Sequence, residues 1–157
     1  MSNCAIILAG GEGKRMKSDK PKTLSLVLGK PMLEWVISSL KKAGIIVKGF
    51  KKECIDEFVS TLDFKVETVY QAERLGTGHA VMMAKDFLEA HKGDSVVILN
   101  GDAPFMDSKT IEKSLEQHIN TQSSATVISA MVDDPTGYGR IVRDENGDVK
   151  SIVEQKD

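Results

Sequence analysis

A cluster of cations behind three glycines is the part of this chain best suited to chemistry. Residues 6–16 read Ile-Ile-Leu-Ala-Gly-Gly-Glu-Gly-Lys-Arg-Met, and Lys17, Lys20, Pro21 and Lys22 follow. Gly10, Gly11 and Gly13 let a backbone approach a ligand closely and take positive φ, so successive N–H groups can converge on an anion. Arg15 and Lys22, the second oriented by Pro21, supply the positive charge that a triphosphate or pyrophosphate requires. The spacing is neither the G-x-x-x-x-G-K-[ST] of a P-loop nor the G-x-G-x-x-G of a dinucleotide site, although both of those also start from a strand. A glycine turn with a solvated basic face is the plainer alternative. The ordered pair of cations favours a loop for a nucleoside triphosphate.

Two further segments complete the chemistry. Asp102 follows an apolar run in Asn100-Gly101-Asp102-Ala103-Pro104, where one carboxylate can bind a hard cation that takes its other ligands from phosphate oxygens and water. Such an aspartate can equally cap the turn before Pro104, so it gains weight only beside a phosphate loop. Gln71, in Gln71-Ala72-Glu73-Arg74-Leu75-Gly76-Thr77-Gly78-His79-Ala80, offers both an amide donor and an acceptor to a base edge. Gly76 and Thr77 expose backbone groups at a helix start; alternatively, Thr77 is only a helix cap and Gln71 a solvated strand end. His79, His91 and His118 lack metal-ligand spacing and read as helix-surface or packing residues. Met82-Met83 reads as core filler, and Asp133-Asp134-Pro135 as a turn initiator rather than a second metal site. Ser38-Ser39 and Ser123-Ser124 lack the G-x-S-x-G context of a nucleophilic hydrolase.

The elements that must position these groups alternate along the chain. Residues 5–8, 45–50, 64–70, 95–99 and 125–132 read as strands. Helices are expected over 31–43, 52–61 and 77–91, and from Ser108 onward. Pro31 suits a first helical position, and Gly44 a helix end. Residues 137–143 and 149–154 read as two strands around an Asn146-Gly147 turn. Strands alternating with helices predict an α/β fold with a mostly parallel sheet covered on both faces, with ligands beyond the carboxyl ends of the strands.

Bulk properties set the remaining bounds. The chain is long enough for one domain with a proper core, and its net charge of −2 argues against a general nucleic-acid binder. Cys4 and Cys54 form no disulfide framework and read as buried free thiols of a reducing compartment. No stretch has the length of a membrane span and no signal-peptide core is present, so a cytoplasmic protein without membrane partners is expected.

Four blocks, in order, resemble the sugar-phosphate nucleotidyltransferases, and most narrowly the uridylyltransferase domain of the N-acetylglucosamine-1-phosphate enzymes. They are residues 8–16 with Pro21-Lys22; residues 71–80; residues 100–104; and Asp133-Pro135-Thr136-Gly137-Tyr138-Gly139-Arg140-Ile141 with residues 152–157. The first block marks only the wider class; the Leu-Gly-Thr-Gly-His-Ala and Pro-Thr-Gly-Tyr-Gly-Arg-Ile segments point to the narrower group. The resemblance implies a Rossmann-like, three-layer, GT-A-like fold with a mixed, mostly parallel sheet. It implies Mg²⁺-dependent joining of UTP and N-acetylglucosamine 1-phosphate into UDP-N-acetylglucosamine, a cell-wall precursor, with release of pyrophosphate. Leu8, Ala9 and Gly11, with Gly10, Gly13 and Gly101, would hold the nucleotide. Gln71, Gly76 and Thr77 would read uracil. Arg15 and Lys22 would act on the phosphates, Asp102 would ligate Mg²⁺, and Gly139 and Glu154 would contact the sugar.

Departures from the family pattern accompany it. Lys14 stands where a small hydroxyl residue is usual, and Asn100 where other residues occur. The family's Asn-Thr-Gly sugar segment, its second metal-binding asparagine and its trimerising left-handed β-helix with acetyltransferase activity have no counterpart here. Residues 1–157 are therefore expected to be the nucleotide-binding part of a C-terminally incomplete nucleotidyltransferase domain, with self-association possible only by another route. A non-catalytic nucleotide-binding module and a related transferase acting on another sugar or alcohol phosphate are the alternatives.

Overall fold

The computed structural model describes residues 3–13, 16, 18–40 and 44–154. The chain divides into two units, Met1–Ser124 and Ala125–Asp157. In the first, four strands form one parallel sheet: β1 (Asn3–Ala9), β4 (Gly44–Lys48), β5 (Glu67–Tyr70) and β6 (Ser95–Asn100), in the order β5-β4-β1-β6. A two-stranded antiparallel ribbon, β2 (Leu26–Val27) with β3 (Lys30–Pro31), precedes helix α1 (Met32–Ser39). The remaining helices of this unit are α2 (Lys52–Ser60), α3 (Thr77–Met82), α4 (Lys85–Ala90) and α5 (Ser108–Asn120).

Alternation along the continuous apolar strands sends side chains to two cores. Ile7, Ala9, Ile46 and Leu99 pack with Leu33, Val36 and Ile37 of α1, Ile55 of α2 and Ile111 of α5. Cys4, Ile6, Ile45 and Val47 face the other way, against Ala80 of α3, Phe87 of α4 and Ala84 between them. A strand buried on both faces needs no polar alternation, which is why these runs read as solid apolar blocks. Each Val, Leu, Ile or Phe among them stabilises the unit by about 1.5–3 kcal/mol on removal from water. Burial also pushes the Cys4 thiol pKa up, with Asp94 adding to the shift.

Layer order follows from chain direction. From β1 the chain crosses through α1 to β4 and through α2 to β5, moving outward on one side; α3 and α4 then return it over the opposite face to β6. The strand order thus reverses between β1 and β6, the place where α/β sheets open a ligand crevice beyond their carboxyl ends.

Several sequence expectations change. Helix α1 starts at Met32, because Pro31 is held in the ribbon with ψ 140°; residues 41–43 of the expected helix lie outside the described residues. Gly44 opens β4 rather than ending a helix. The third strand begins at Glu67, and the expected helix over 77–91 is two helices. Residues 125–132 form no strand. Their β-branched composition expresses a preference for a pleated, half-buried surface, but they have no ladder partner among the described residues, and Val127, Ile128, Met131 and Val132 are exposed. Met82 is 68% exposed, so only Met83 of that pair packs against the core.

The second unit contains β7 (Arg140–Arg143) and β8 (Val149–Val153), paired antiparallel. Gly147 takes φ +87° in their connection, and Asp144 Oδ1 accepts from the N–H groups of Asn146 and Asp148 at 2.9 and 3.0 Å. Asp134 Oδ1 accepts from Thr136 N–H at 3.0 Å, forming the expected turn.

Candidate functional site

The glycine loop leaves β1 at the sheet's reversal point and is built on close backbone contacts. Gly10 C=O accepts from Phe50 N–H at 3.2 Å, and a Cβ on Gly49 would stand 2.7 Å from that same oxygen. Neither chain could approach so closely with side chains in between. Gly13 takes φ +64°, and a Cβ there would lie 2.6 Å from Lys22 Cβ. The loop therefore folds directly against the base of the Lys22 side chain. Gly11 points into open space. Leu8 and Ala9 are the last residues but one and the last of β1. Lys14 and Arg15 lie outside the described residues.

Lys22 opens a 3₁₀ turn, Lys22–Leu24, behind the buried Pro21. Its Nζ donates to Asp102 Oδ2 at 2.6 Å across a separation of 80 residues, with both side chains more than a third exposed. Gly101 N–H donates to Leu8 C=O at 2.9 Å, extending the β1–β6 ladder up to the residue that aims Asp102. A Cβ on Gly101 would meet that oxygen and Thr23 Cγ2, each at 3.1 Å. Asp102 is thus partnered by a cation and is not merely a turn cap. Thr23 itself is buried, and its hydroxyl has no hydrogen-bond partner among the described residues.

Gln71 follows β5 and is 4% exposed, so it is not a solvated strand end. Its N–H donates to Lys48 C=O at 2.8 Å, continuing the β4–β5 pairing. Its amide Nε2 donates to Gly76 C=O at 3.2 Å and lies 3.1 Å from His79 Nδ1. Its Oε1 lies over the glycine loop, 2.9 Å from where a Gly10 Cβ would be. Gly76, at φ +101°, caps α3 by backbone, and Thr77 is the first helical residue with no side-chain cap bond. Arg74 Nη1 donates to Glu12 Oε2 at 2.8 Å, tying the Gln71 segment to the glycine loop.

In the second unit, Gly139 and Glu154 come together at the open end of the ribbon: a Cβ on Gly139 would lie 3.6 Å from Glu154 Oε1. Within the first unit, then, Leu8, Ala9, Gly10, Gly11, Gly13, Lys22, Gln71, Gly76, Thr77, Gly101 and Asp102 lie at the carboxyl ends of parallel strands or on the segments that follow them. Sequence reasoning missed Gly49, Arg74 and His79. Gly49 stands in no motif, Arg74 needs its distant partner to acquire meaning, and His79 reads from sequence as a helix-surface or packing residue.

The chain is similar to known proteins. The chain is 48% identical over 157 residues to Bifunctional protein GlmU of Caldanaerobacter subterraneus subsp. tengcongensis, matching 98% of this chain and 33% of that protein. It is 50% identical over 161 residues to Bifunctional protein GlmU of Clostridium beijerinckii, matching all of this chain and 34% of that protein. The chain thus spans about a third of the length of these curated relatives. The crystal structure of HddC from Yersinia pseudotuberculosis superimposes with a TM-score of 0.69 and 27% identity, covering 99% of this chain and 70% of that one. A model described as Nucleotidyl transferase matches residues 4–155. With nearly its whole length matched, the chain belongs to the nucleotidyl transferase family.

Proposed function

We propose that residues 1–157 are the nucleotide-binding part of a cytoplasmic uridylyltransferase that joins UTP and N-acetylglucosamine 1-phosphate. The observation that carries this reading is the junction of the loop after β1 with the loop after β6, made by Lys22 and Asp102 where the strand order reverses. The identity to two bifunctional GlmU proteins supports the choice of nucleotide and sugar.

An oxygen of the sugar phosphate attacks the α-phosphorus of UTP, and the bond from that phosphorus to the bridging oxygen breaks. The electron pair leaves with pyrophosphate. The attacking oxygen already carries charge, so the chain's contribution is positioning and neutralisation rather than proton transfer. Lys22, drawn from Asp102 by the incoming phosphates, places its ammonium on them, and Arg15 adds a second cation. The N–H groups of the glycine loop, from Gly10 to Gly13, orient the same oxygens. Gln71, Gly76 and Thr77 hold the uracil, and the backbone at Gly101 lines the nucleotide at the end of β6; a sugar-binding role for Gly139 and Glu154, in the second unit, is carried over from the family resemblance.

The residues present fit Mg²⁺. Asp102 offers one carboxylate that already holds a cation at 2.6 Å. One carboxylate with phosphate oxygens and waters among the other ligands is an ordinary Mg²⁺ arrangement. When bound, Mg²⁺ neutralises and orients the triphosphate.

The test is pyrophosphate release by the purified chain with UTP, N-acetylglucosamine 1-phosphate and Mg²⁺, alongside UTP binding by calorimetry. Release supports the full reading. Binding without release reduces the chain to a nucleotide-binding module, and absence of both refutes the site.

A further inference from the structure

An amide reads a base only while its two ends keep their places. With Oε1 toward the ligand a glutamine accepts an N–H; turned by half a rotation it donates one instead. Uracil carries an N–H at ring position 3, whereas cytosine has a bare acceptor nitrogen there. The two orientations of one glutamine therefore favour opposite pyrimidines, and whatever holds the amide holds the choice of base.

Two groups hold Gln71, and both lie on its nitrogen side. Gly76 C=O can only accept, so Nε2 must be the atom that faces it at 3.2 Å. The same nitrogen's second hydrogen then points at His79 Nδ1, 3.1 Å away. For that contact to be a hydrogen bond, Nδ1 must be the acceptor, the role it has in the Nε2–H tautomer. Gly76 C=O, which uses its other lone pair to accept from Ala80 N–H at 3.1 Å, takes one amide hydrogen and leaves the second for His79. Oε1 is turned away from both partners, toward Gly10 and the nucleotide loop.

We infer that His79 is the positioning residue for base choice: as the Nε2-protonated imidazole it accepts the second amide hydrogen of Gln71, keeps Oε1 toward the nucleotide and so selects uracil over cytosine. The inference rests on the uridylyltransferase reading and deepens it. His79 touches no reacting atom; it acts only through Gln71.

The experiment measures UTP and CTP binding to the wild-type chain, His79→Leu and His79→Asn, together with the ¹⁵N spectrum of the His79 ring. Leucine removes the acceptor, whereas asparagine can return an oxygen near the position of Nδ1. The expected result is a preference for UTP that falls about tenfold in His79→Leu, the size of one lost neutral hydrogen bond, and recovers in His79→Asn. UTP and CTP weakening equally in His79→Leu would show a merely structural role and overturn the inference. So would a ring protonated at Nδ1 in the wild-type spectrum, which needs no variant to fold. A wild-type chain with no preference for UTP would instead overturn the base-reading role of Gln71, and the inference with it.

Discussion

The loops at the sheet's reversal point and the β7–β8 ribbon are both assembled from short polar segments, yet they are held by opposite means. Lys22 meets Asp102 across 80 residues and Arg74 meets Glu12 across 62. In the ribbon, Asp144 accepts from residues two and four positions away, and Arg143 Nη1 donates to Gly147 C=O at 2.7 Å. The first region is stabilised by a core buried on two faces of a sheet. The ribbon presents mostly exposed side chains, including Val149, Ile152 and Val153. Long-range bracing gives a site its geometry only while the core is intact, whereas local hydrogen bonding shapes a turn wherever the turn occurs.

Damage to the core should therefore separate the two regions most clearly. Ile46→Ala, at a side chain with no exposure, is expected to lower the unfolding free energy by about 2–5 kcal/mol. Ile152→Ala in the ribbon should cost about 1 kcal/mol or less, since that side chain is already half in water. Urea titration of both variants checks the pair, and equal losses would break the comparison.

Lys22→Ala tests function rather than folding. Pyrophosphate release should fall by about a hundredfold to a thousandfold, the usual result of removing one charge-stabilising group. Stability should change by about 1 kcal/mol or less, because the Lys22–Asp102 pair is partly solvated. Arg15→Ala is expected to abolish release likewise. Wild-type rates in both variants would remove the cations from the mechanism.

Smaller effects sharpen the contrast. Gly147→Ala forces a side chain into a left-handed conformation at a cost of about 1–2 kcal/mol, and should blur the cross-ribbon contacts seen by NMR while leaving the Met1–Ser124 unit unaltered. Thr23→Val removes a buried hydroxyl without a partner among the described residues and should leave stability unchanged or raise it by up to about 1 kcal/mol in thermal unfolding. Loss of more than that would mean that the hydroxyl has a role.

Acid titration gives the mildest test. Asp107 caps α5 by accepting from Thr110 N–H at 2.7 Å, and that bond, joined by the Thr110 hydroxyl, holds its carboxyl pKa below the ordinary value. A depressed native pKa adds stability that is present above the unfolded value and is lost as pH falls through the native one. The wild-type chain should thus lose stability relative to Asp107→Ala as pH drops below about 4, the ordinary range of a carboxylate. Parallel acid curves would show that the cap contributes nothing.

Much of this was legible from residue types because the signals were local. A solid apolar run ending in glycine marked β1, since burial on both faces leaves no room for polar alternation; the equally apolar β6 lies at the sheet edge and leaves Val96 and Ile98 exposed. Asn146-Gly147 announced its turn by chemistry alone. The sequence misled where an outcome depended on partners. Residues 125–132 have strand composition but no ladder to join, and Pro31 was drawn out of the helix by pairing with Leu26. His79 and Arg74 could not be recognised before Gln71 and Glu12 were known to lie beside them.

By itself, then, the sequence determined the alternation of strands and helices, the glycine loop with its cations, and the carboxylate at the end of an apolar strand. These are consequences of backbone freedom, periodic burial and charge within a few residues. Only the tertiary structure decided that Lys22 sits on Asp102, that Gly10 and Gly49 touch, and that His79 holds the amide of Gln71. The first two of those contacts join groups from separate strand ends, which meet because parallel pairing stacks every carboxyl end of the sheet on one rim; the third forms where the segment after β5 turns into α3.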